Sequence, residues 1–157
     1  MGNHTLKSQL PIYGFISALL ITAGCSSATM DTHETAHRPN EPLINTYWKL
    51  VTLDSAPVVT HENFREAHLV LHQEASRLAG ATGCNTLMGS YRMENERITF
   101  GQIASTKMAC PTPQMKTERD FLAALKEVTA WSVDGAMLVL SSDSNEPLAV
   151  FEAVYLY

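Results

Sequence analysis

Hydrophobic and polar residues alternate in short runs along the chain from Thr46 onward. In the segment 46–53, Trp48 and Leu50 fall on one face, and the segment 67–72 alternates in the same way. A period of two is the pattern of a β-strand with one buried face. The segment 148–157 is almost wholly apolar and rich in aromatic and β-branched residues, which predicts a last strand covered on both faces.

Two further pairs of short runs are separated by turns. The runs 90–93 and 97–100 are joined by the acidic segment 94–96, which predicts a hairpin with a solvated tip. Asp134 and Gly135 stand between two more apolar runs, and this dipeptide is a strong local signal for a hairpin turn.

One segment has helical periodicity instead. Thr112 suits the N-cap of this helix, and Pro113 suits its first position because the missing N–H needs no partner there. With Phe121 alongside, the residues predicted to face the sheet are Met115, Leu122, Leu125 and Val128. Those predicted to face away are Lys116, Glu118, Arg119 and Lys126. The pattern predicts an α+β fold, a mainly antiparallel β-sheet or small β-rich roll with one packed α-helix.

The N-terminus has a different character. Residues 11–24 are apolar or small, too short a run for a bilayer span of roughly 20 residues but suited to a secretory signal. A buried core helix is the alternative interpretation. Residues 23–25 resemble a bacterial lipobox, although Thr22 stands where such motifs usually have an aliphatic residue. We therefore predict a lipoprotein signal peptide over 1–24 and a lipid anchor at Cys25.

The predicted anchor also sets the compartment. Lipoproteins of Gram-negative envelopes carry three acyl chains, and several chains hold a protein stably where a single chain binds marginally. Ser26 is not the aspartate that typically retains lipoproteins in the inner membrane, so we predict the outer membrane, with the protein facing the periplasm. Residues 25–42 are predicted to be the lipidated cysteine and a flexible tether, in which His33 and His37 are solvated.

The remaining residues, 43–157, have the size of one domain and show no internal repeat. Beyond Gly24, ten lysines and arginines oppose sixteen aspartates and glutamates, a net charge of −6. Because no basic stripe is present, nucleic acid and anionic lipid head groups are not expected partners. The expected partners are the membrane, through the lipid on Cys25, and a protein of the cell envelope.

The residue pattern offers little catalytic chemistry. His61 opens a sequence similar to a zinc-protease motif, but Arg65 stands where the second histidine of that motif is needed. His68 and His72 are four residues apart on a predicted strand, roughly 13 Å, too far to share one metal ion. Motifs for binding phosphate or dinucleotides, or for presenting a nucleophilic serine, are missing. We predict no catalytic residue, no metal and no cofactor.

Two cysteines remain once Cys25 is assigned to the lipid. Cys84 lies in a glycine-rich stretch, and Cys110 lies just before the predicted helix. In an oxidising compartment, two such thiols in one small domain favour a disulfide. Two buried free thiols are one alternative, and a nucleophilic Cys84 is another.

The two cysteine stretches also carry a resemblance. "GATGCNTLMGSY" followed by "ITFGQIASTKMACP" resembles the META domain (HslJ-like) family over about 43–157, and "NTYWKLVTL" fits the first strand of that family. The resemblance implies a role in heat-shock and envelope or antibiotic stress, and a fold similar to small secretin-pilot lipoproteins. It implies no catalytic residue. Its signature residues here are Gly83, Cys84, Asn85, Thr106, Met108, Ala109 and Cys110.

These signature residues are expected to have structural roles. Gly80 and Gly83 allow a bulged or left-handed backbone, Asn85 can bond its own turn, and the segment 106–110 leads from the sheet into the helix. The predicted function is a non-enzymatic, lipid-anchored envelope protein that supports stress tolerance by binding. The alternatives are a pilot-like or chaperone-like module, favoured by an apolar groove between helix and sheet, and an enzyme that uses Cys84 or a histidine.

Overall fold

The structure is a computed structural model and describes residues 39–155. The predicted signal peptide 1–24, the predicted anchor Cys25 and most of the predicted tether, with His33 and His37, lie outside the described residues. In the part that is described, no helix is both long and apolar enough to cross a membrane.

The predicted α+β fold is confirmed: within residues 39–155, one α-helix and the short 3-10 helix Glu74–Ser76 accompany a single antiparallel sheet. The helix α1 is Thr112–Glu127. The strands are β1 Tyr47–Leu53, β2 Ala56–Pro57, β3 Ala67–His72, β4 Arg77–Thr82, β5 Thr86–Glu94, β6 Arg97–Ser105, β7 Ala130–Asp134, β8 Met137–Ser141 and β9 Pro147–Val154. Both predicted hairpins form, and β5 and β6 extend well beyond the predicted runs.

The sheet rolls up because β1 pairs on both of its edges. Trp48 and Lys49 pair with β3 on one edge of β1, and β9 pairs antiparallel along the other edge. The roll is weakest between β6 and β7, which share one residue pair, Arg97 with Ala130. The helix occupies the chain between these two strands and packs on β1, β4, β6 and β9. One side of the roll is therefore covered by α1.

Large apolar side chains from the inner face of the roll meet the helix. Trp48, Phe121 and Phe151 are fully buried, and the rings of Phe121 and Phe151 lie 5.9 Å apart. The indole N–H of Trp48 donates to the carbonyl of Leu43 at 3.0 Å, which satisfies the polar atom of this buried ring. On β3, every second residue is buried, as the alternation predicts.

The start of α1 differs from the prediction by one residue. The carbonyl oxygen of Pro111 accepts hydrogen bonds from the backbone N–H groups of Gln114 and Met115, at 3.1 and 3.2 Å. A residue whose carbonyl accepts the first helical bond is the cap. The N-cap is therefore Pro111, and the prediction of Thr112 as the N-cap is wrong by one position.

The buried face of α1 also differs from the prediction. Glu118, predicted to face solvent, is only 8% exposed, whereas Met115, predicted to be buried, is 40% exposed. Leu122 is half-buried, and the buried residues include Gln114 and Phe121. The helix is rotated so that two polar side chains lie on its inner face, which requires partners for them.

Two glycines have different reasons for their positions. Gly83 has a φ of +91°, the left-handed conformation that was predicted. Gly80 has neither a left-handed backbone nor a bulge, so that part of the prediction is wrong. A Cβ at Gly80 would collide with the carbonyl oxygen of His68 on the neighbouring strand. Close approach of two strands is what excludes a side chain there.

The end of the predicted tether contacts the domain. The side-chain amide of Asn40 donates to the carbonyl of Val133 and accepts from the N–H of Gly135, at 2.9 and 2.8 Å. The backbone N–H of Glu41 donates to the carbonyl of Gly135 at 2.8 Å. These bonds hold residues 40 and 41 against the turn between β7 and β8.

Candidate functional site

A disulfide joins Cys84 and Cys110, with their Cα atoms 6.1 Å apart. Cys84 lies in the turn between β4 and β5, and Cys110 lies just before α1. The predicted disulfide is thus confirmed, and the alternative of two free thiols is wrong. While the bond is intact, Cys84 has no thiolate to act as a nucleophile.

Asn85 connects this turn to the segment that leads into α1. Its side-chain oxygen accepts from the Thr106 hydroxyl and from the Met108 backbone N–H, both at 2.8 Å. Its side-chain NH₂ group donates to the Met108 carbonyl at 3.3 Å and to Glu118 Oε2 at 2.8 Å. Asn85 is 1% exposed, so these bonds replace the water that its amide loses on folding.

Glu118 is the acceptor at the centre of this network. Its carboxyl oxygens accept from the hydroxyl of Thr82 at 2.8 Å, from Asn85, and from the hydroxyl of Ser105 at 3.1 Å. Three donors on one carboxyl group compensate its burial. Glu118 therefore binds two strand ends and the β4–β5 turn to the helix. We refer to this disulfide and its hydrogen-bonded neighbours as the signature cluster: Thr82, Cys84, Asn85, Ser105, Thr106, Cys110 and Glu118.

Two of the remaining signature residues, Gly83 and Met108, serve through their backbones. Gly83 supplies the left-handed turn, and Met108 supplies a carbonyl and an N–H to Asn85. The side chains of Met108 and Ala109 are exposed. The structure thus brings the predicted residues together at one junction of sheet and helix.

Sequence reasoning missed the members of the cluster that are outside the family signature. Glu118 was assigned to the wrong face of the helix, although it lies three residues before Phe121 and four after Gln114. That spacing places all three on one face. A glutamate in the middle of a buried face is the signal that could have predicted a buried polar contact.

The three described histidines, His61, His68 and His72, form no hydrogen bond with the signature cluster. The His68 ring stacks on Tyr47, with centroids 4.2 Å apart, and burial lowers its pKa. The Tyr47 hydroxyl donates to Glu66 at 2.9 Å, and burial, followed by this bond, raises the pKa of Tyr47. Among residues 39–155, no group of three or more His, Cys, Asp and Glu side chains is arranged to hold a metal ion.

A groove lies between α1 and the segment that connects β1 to β3. Its volume is about 350 Å³, near the lower end of the range for ligand pockets, roughly 300–1,000 Å³. We refer to it as the α1 groove: Leu53, Asp54, Ala56, Pro57, Val58, Val59 and His61 line one side, and Lys116, Thr117 and Asp120 line the other. The apolar residues are on the side of the β1–β3 connection, and the helix contributes polar ones.

A second cavity of about 10 Å³ adjoins the α1 groove and shares Val58, Val59, His61 and Thr117 with it. Gln114 lines this small cavity and is 6% exposed. The side-chain oxygen of Gln114 is buried and has no hydrogen-bond partner among the described residues. The small cavity, with room for about one water molecule, thus adjoins a buried acceptor that no described residue bonds.

Charged groups on the helix side of the groove are paired with one another. Lys116 Nζ lies 2.6 Å from Asp120 Oδ2, and Arg119 Nε lies 3.0 Å from Asp120 Oδ1. The hydrogen bond from Lys116, and then that from Arg119, lowers the pKa of the Asp120 carboxyl. Asp120 is therefore ionised at neutral pH, and its charge is balanced locally.

Comparisons with known proteins point to one family. The sequence pattern described as "META domain" matches residues 41–155. An NMR structure of a protein from Burkholderia xenovorans is 21% identical, covers 94% of this chain and all of its own, and has a TM-score of 0.59. Another NMR structure is 20% identical, covers 69% of this chain and 88% of its own, and has a TM-score of 0.54. At these identities the two structures show a shared fold. No curated protein matches the chain significantly.

Proposed function

Because the chain belongs to the META domain family, we propose that it is a non-enzymatic binding protein of the bacterial envelope. It is anchored to the outer membrane by lipid on Cys25 and faces the periplasm, where it supports tolerance of heat, envelope or antibiotic stress. The part of the domain that performs the binding is the α1 groove, and the signature cluster keeps the domain folded.

The observation that carries this proposal is the saturation of the signature cluster. The two sulfurs are bonded to each other, and the Glu118 carboxyl group accepts three hydrogen bonds. An acid–base or nucleophilic site needs a group free to exchange a proton or attack a substrate. The family's marked residues are thus occupied in holding the structure, and the open α1 groove is a surface suited to a ligand.

The disulfide supports an exported location. Structural disulfides persist in oxidising compartments such as the periplasm and are rare in the reducing cytoplasm. A bond between Cys84 and Cys110 agrees with the apolar segment 11–24 and with the cysteine that follows it. The lipid anchor and the stress role are proposals that require their own experiments.

Lipidation and location are tested by metabolic labelling with palmitate and by separating the two membranes on a density gradient. We expect label on the wild-type protein, none on a Cys25→Ala variant, and recovery of the mature protein in the outer-membrane fraction. Normal processing and detergent partitioning of Cys25→Ala would contradict the anchor, and recovery in the inner membrane would contradict the location.

The stress role is tested with a deletion strain exposed to heat and to envelope-directed antibiotics. We expect survival to fall and to be restored by the wild-type gene but only weakly by Cys25→Ala. Equal survival of the deletion and wild-type strains would contradict the stress role. Turnover of a substrate by the purified protein would contradict a non-enzymatic function.

A pilot-like or chaperone-like module is the second candidate. The position of the α1 groove between the helix and the β1–β3 connection favours it, because that side carries four apolar residues in sequence, 56–59. If this candidate is correct, one outer-membrane or secretion component co-purifies with the protein and is mislocalised in the deletion strain. Normal location of all such components would argue against it.

A further inference from the structure

Three sulfur atoms lie together at the junction of the sheet and the helix. Besides the two sulfurs of the disulfide, Met115 Sδ lies 3.9 Å from Cys84 Sγ. Met115 is near the start of α1 and is 40% exposed, and Cys110 is partly exposed, so solvent reaches this group of sulfurs. Thiolate and thioether sulfurs are the soft ligands that Cu(I) prefers in proteins.

The spacing of these sulfurs suits a planar site with three sulfur ligands once the disulfide is reduced. Metal–sulfur bonds of roughly 2.3 Å keep three sulfurs in a plane roughly 4 Å apart. The distance from Met115 Sδ to Cys84 Sγ already matches this separation. The Cα atoms of Cys84 and Cys110 are 6.1 Å apart, so rotation of the two side chains brings their sulfurs to the same separation while the backbone stays in place.

Hydrogen bonds hold the three sulfur-bearing residues near one another independently of the disulfide. Asn85, which follows the first cysteine, bonds both the N–H and the carbonyl of Met108, two residues before the second cysteine. Asn85 also donates to Glu118, which is one helical turn beyond Met115. This network connects the β4–β5 turn, the segment before α1 and the helix itself, so reduction leaves the ligand positions together.

Asn85 also favours negative charge on the first sulfur. Its side-chain NH₂ group donates toward Cys84 Sγ at 3.3 Å. A donated N–H stabilises the thiolate, which is the form of cysteine that binds a metal. The Met108 carbonyl lies 3.6 Å from the same sulfur and accepts the proton of the reduced thiol until a metal replaces that proton.

The ligand set favours Cu(I) over zinc. Zinc sites in proteins are built from cysteine, histidine and carboxylate ligands, usually four in a tetrahedron. Among residues 39–155, no three side chains of those types are arranged to hold an ion. The third ligand available to the two cysteines is a thioether, which suits Cu(I).

We propose that the signature cluster, when its disulfide is reduced, binds one Cu(I) ion through the sulfurs of Cys84, Cys110 and Met115. The oxidised protein has no thiolate to offer, so the site exists only in the reduced protein. This inference goes beyond the proposed function and does not depend on the α1 groove.

The electrons come from a dithiol reductant of the thioredoxin-like class. One thiolate of the reductant attacks the partly exposed sulfur of Cys110, the S–S bond breaks, and the sulfur of Cys84 leaves as the thiolate that Asn85 stabilises. The second thiol of the reductant then displaces Cys110, and the reductant departs as a disulfide. Cu(I) binds the two cysteine sulfurs and the thioether, and two thiol protons pass to water.

The experiment compares the oxidised and reduced full chain, purified in detergent, with the reductant removed in the absence of air. A chromophoric chelator competes with the protein for Cu(I). We expect the reduced protein to bind one Cu(I) at least about a hundredfold more tightly than the oxidised protein, because both thiolates appear only on reduction. X-ray absorption should show three sulfur neighbours of the copper at roughly 2.3 Å.

Several results would overturn the inference. These are equal affinity of the reduced and oxidised protein for Cu(I), only two sulfur neighbours in the X-ray absorption spectrum, and binding of Zn(II) as tight as that of Cu(I). Circular dichroism of the reduced protein tests the claim that the hydrogen bonds keep the ligands together. A reduced protein that is unfolded and does not refold with Cu(I) would overturn it too.

Matched variants test the thioether. Met115→Leu removes the third ligand at an exposed position and should weaken Cu(I) binding at least about tenfold, as much as the loss of one ordinary hydrogen bond. Its X-ray absorption spectrum should lose one sulfur neighbour. Met137→Leu is the control, because Met137 is 38% exposed and lies on β8, outside the signature cluster. Equal affinity of the two reduced variants for Cu(I) would show that Met115 is not a ligand and would overturn the three-sulfur site.

Discussion

One helical turn separates two buried polar side chains on the inner face of α1, and their surroundings are opposite. Glu118 accepts three hydrogen bonds from the signature cluster, whereas the side-chain oxygen of Gln114 accepts none. Both residues are more than nine-tenths buried. A polar group that is fully satisfied stabilises one arrangement of the chain, and one left unsatisfied reduces stability. The comparison separates a polar group that holds the fold together from one that is buried without a partner.

The disulfide should give the largest effect in this comparison. Replacing Cys84 and Cys110 with alanine should lower the free energy of unfolding by about 3 kcal/mol, because the bond closes a loop with a sequence separation of 26. Urea unfolding of the oxidised protein and of the double variant measures the difference. Reduced wild-type protein is the control and should unfold like the variant. A loss below about 1 kcal/mol would mean that the hydrogen bonds alone hold the junction.

Glu118→Ala should give the next effect. It removes the acceptor of three buried or half-buried donors, and we expect a loss of about 2–3 kcal/mol and a clearly lower melting temperature. Glu127→Ala, an exposed position on the same helix, is the control and should change stability by less than about 0.5 kcal/mol. If the two variants melt alike, Glu118 is not central to the cluster, and the contrast with Gln114 fails.

Gln114→Leu should act in the opposite direction. Because the substitution removes a buried acceptor that has no partner, we expect the free protein to gain about 1 kcal/mol and to melt a few degrees higher. Thermal unfolding measures this gain, with a Gln73→Leu variant as the neutral comparison because Gln73 is exposed. A stability loss similar to that of Glu118→Ala would show that Gln114 is satisfied in solution and that the two side chains are equivalent.

Asp120→Asn should give the smallest effect and a pH dependence. Lys116 and Arg119 hold the folded pKa of Asp120 below its unfolded value of about 3.9, so its contribution is complete above that pH. It is lost as the pH falls through the folded value. We expect Asp120→Asn to lower the free energy of unfolding by at most about 0.5 kcal/mol at pH 7, since the partners of Asp120 are exposed. Below pH 4, the variant should lose less stability than the wild-type protein does. Asp134→Asn is the control. Identical acid unfolding of wild type and Asp120→Asn would contradict the ion pairs.

Part of the fold could be predicted from local patterns because the physical cause is local. Alternation in 67–72 predicts β3 to the residue, and the Asp134–Gly135 dipeptide predicts the β7–β8 turn, since each depends on neighbours within a few positions. The helix was predicted within one residue at its start. The rotation of the helix was not predicted, because the buried face depends on which strands the helix packs against. Met115 was predicted to be buried and is exposed, and Glu118 was predicted to be exposed and is buried.

The signature cluster was predicted in part. The cysteine stretches mark Cys84, Asn85 and Cys110, and the oxidising compartment favours their bond. Nothing local connects Asn85 with Glu118, which is 33 residues further along the chain. The α1 groove was unpredictable for the same reason, since it forms between segments separated by more than 50 positions.

The sequence by itself determined the helix and most strands in their order, the two cysteines that pair and the acidic balance of the chain, because each follows from residue type and short-range spacing. The strands β2 and β4 were not predicted. The tertiary structure decided how the sheet rolls through the β1–β9 pairing, which face of α1 is buried, and which buried polar groups find partners. The physical reason is that burial and hydrogen-bond satisfaction belong to the whole packed chain. Glu118 and Gln114 have the same backbone conformation and the same burial, and the groups that surround each one make them different.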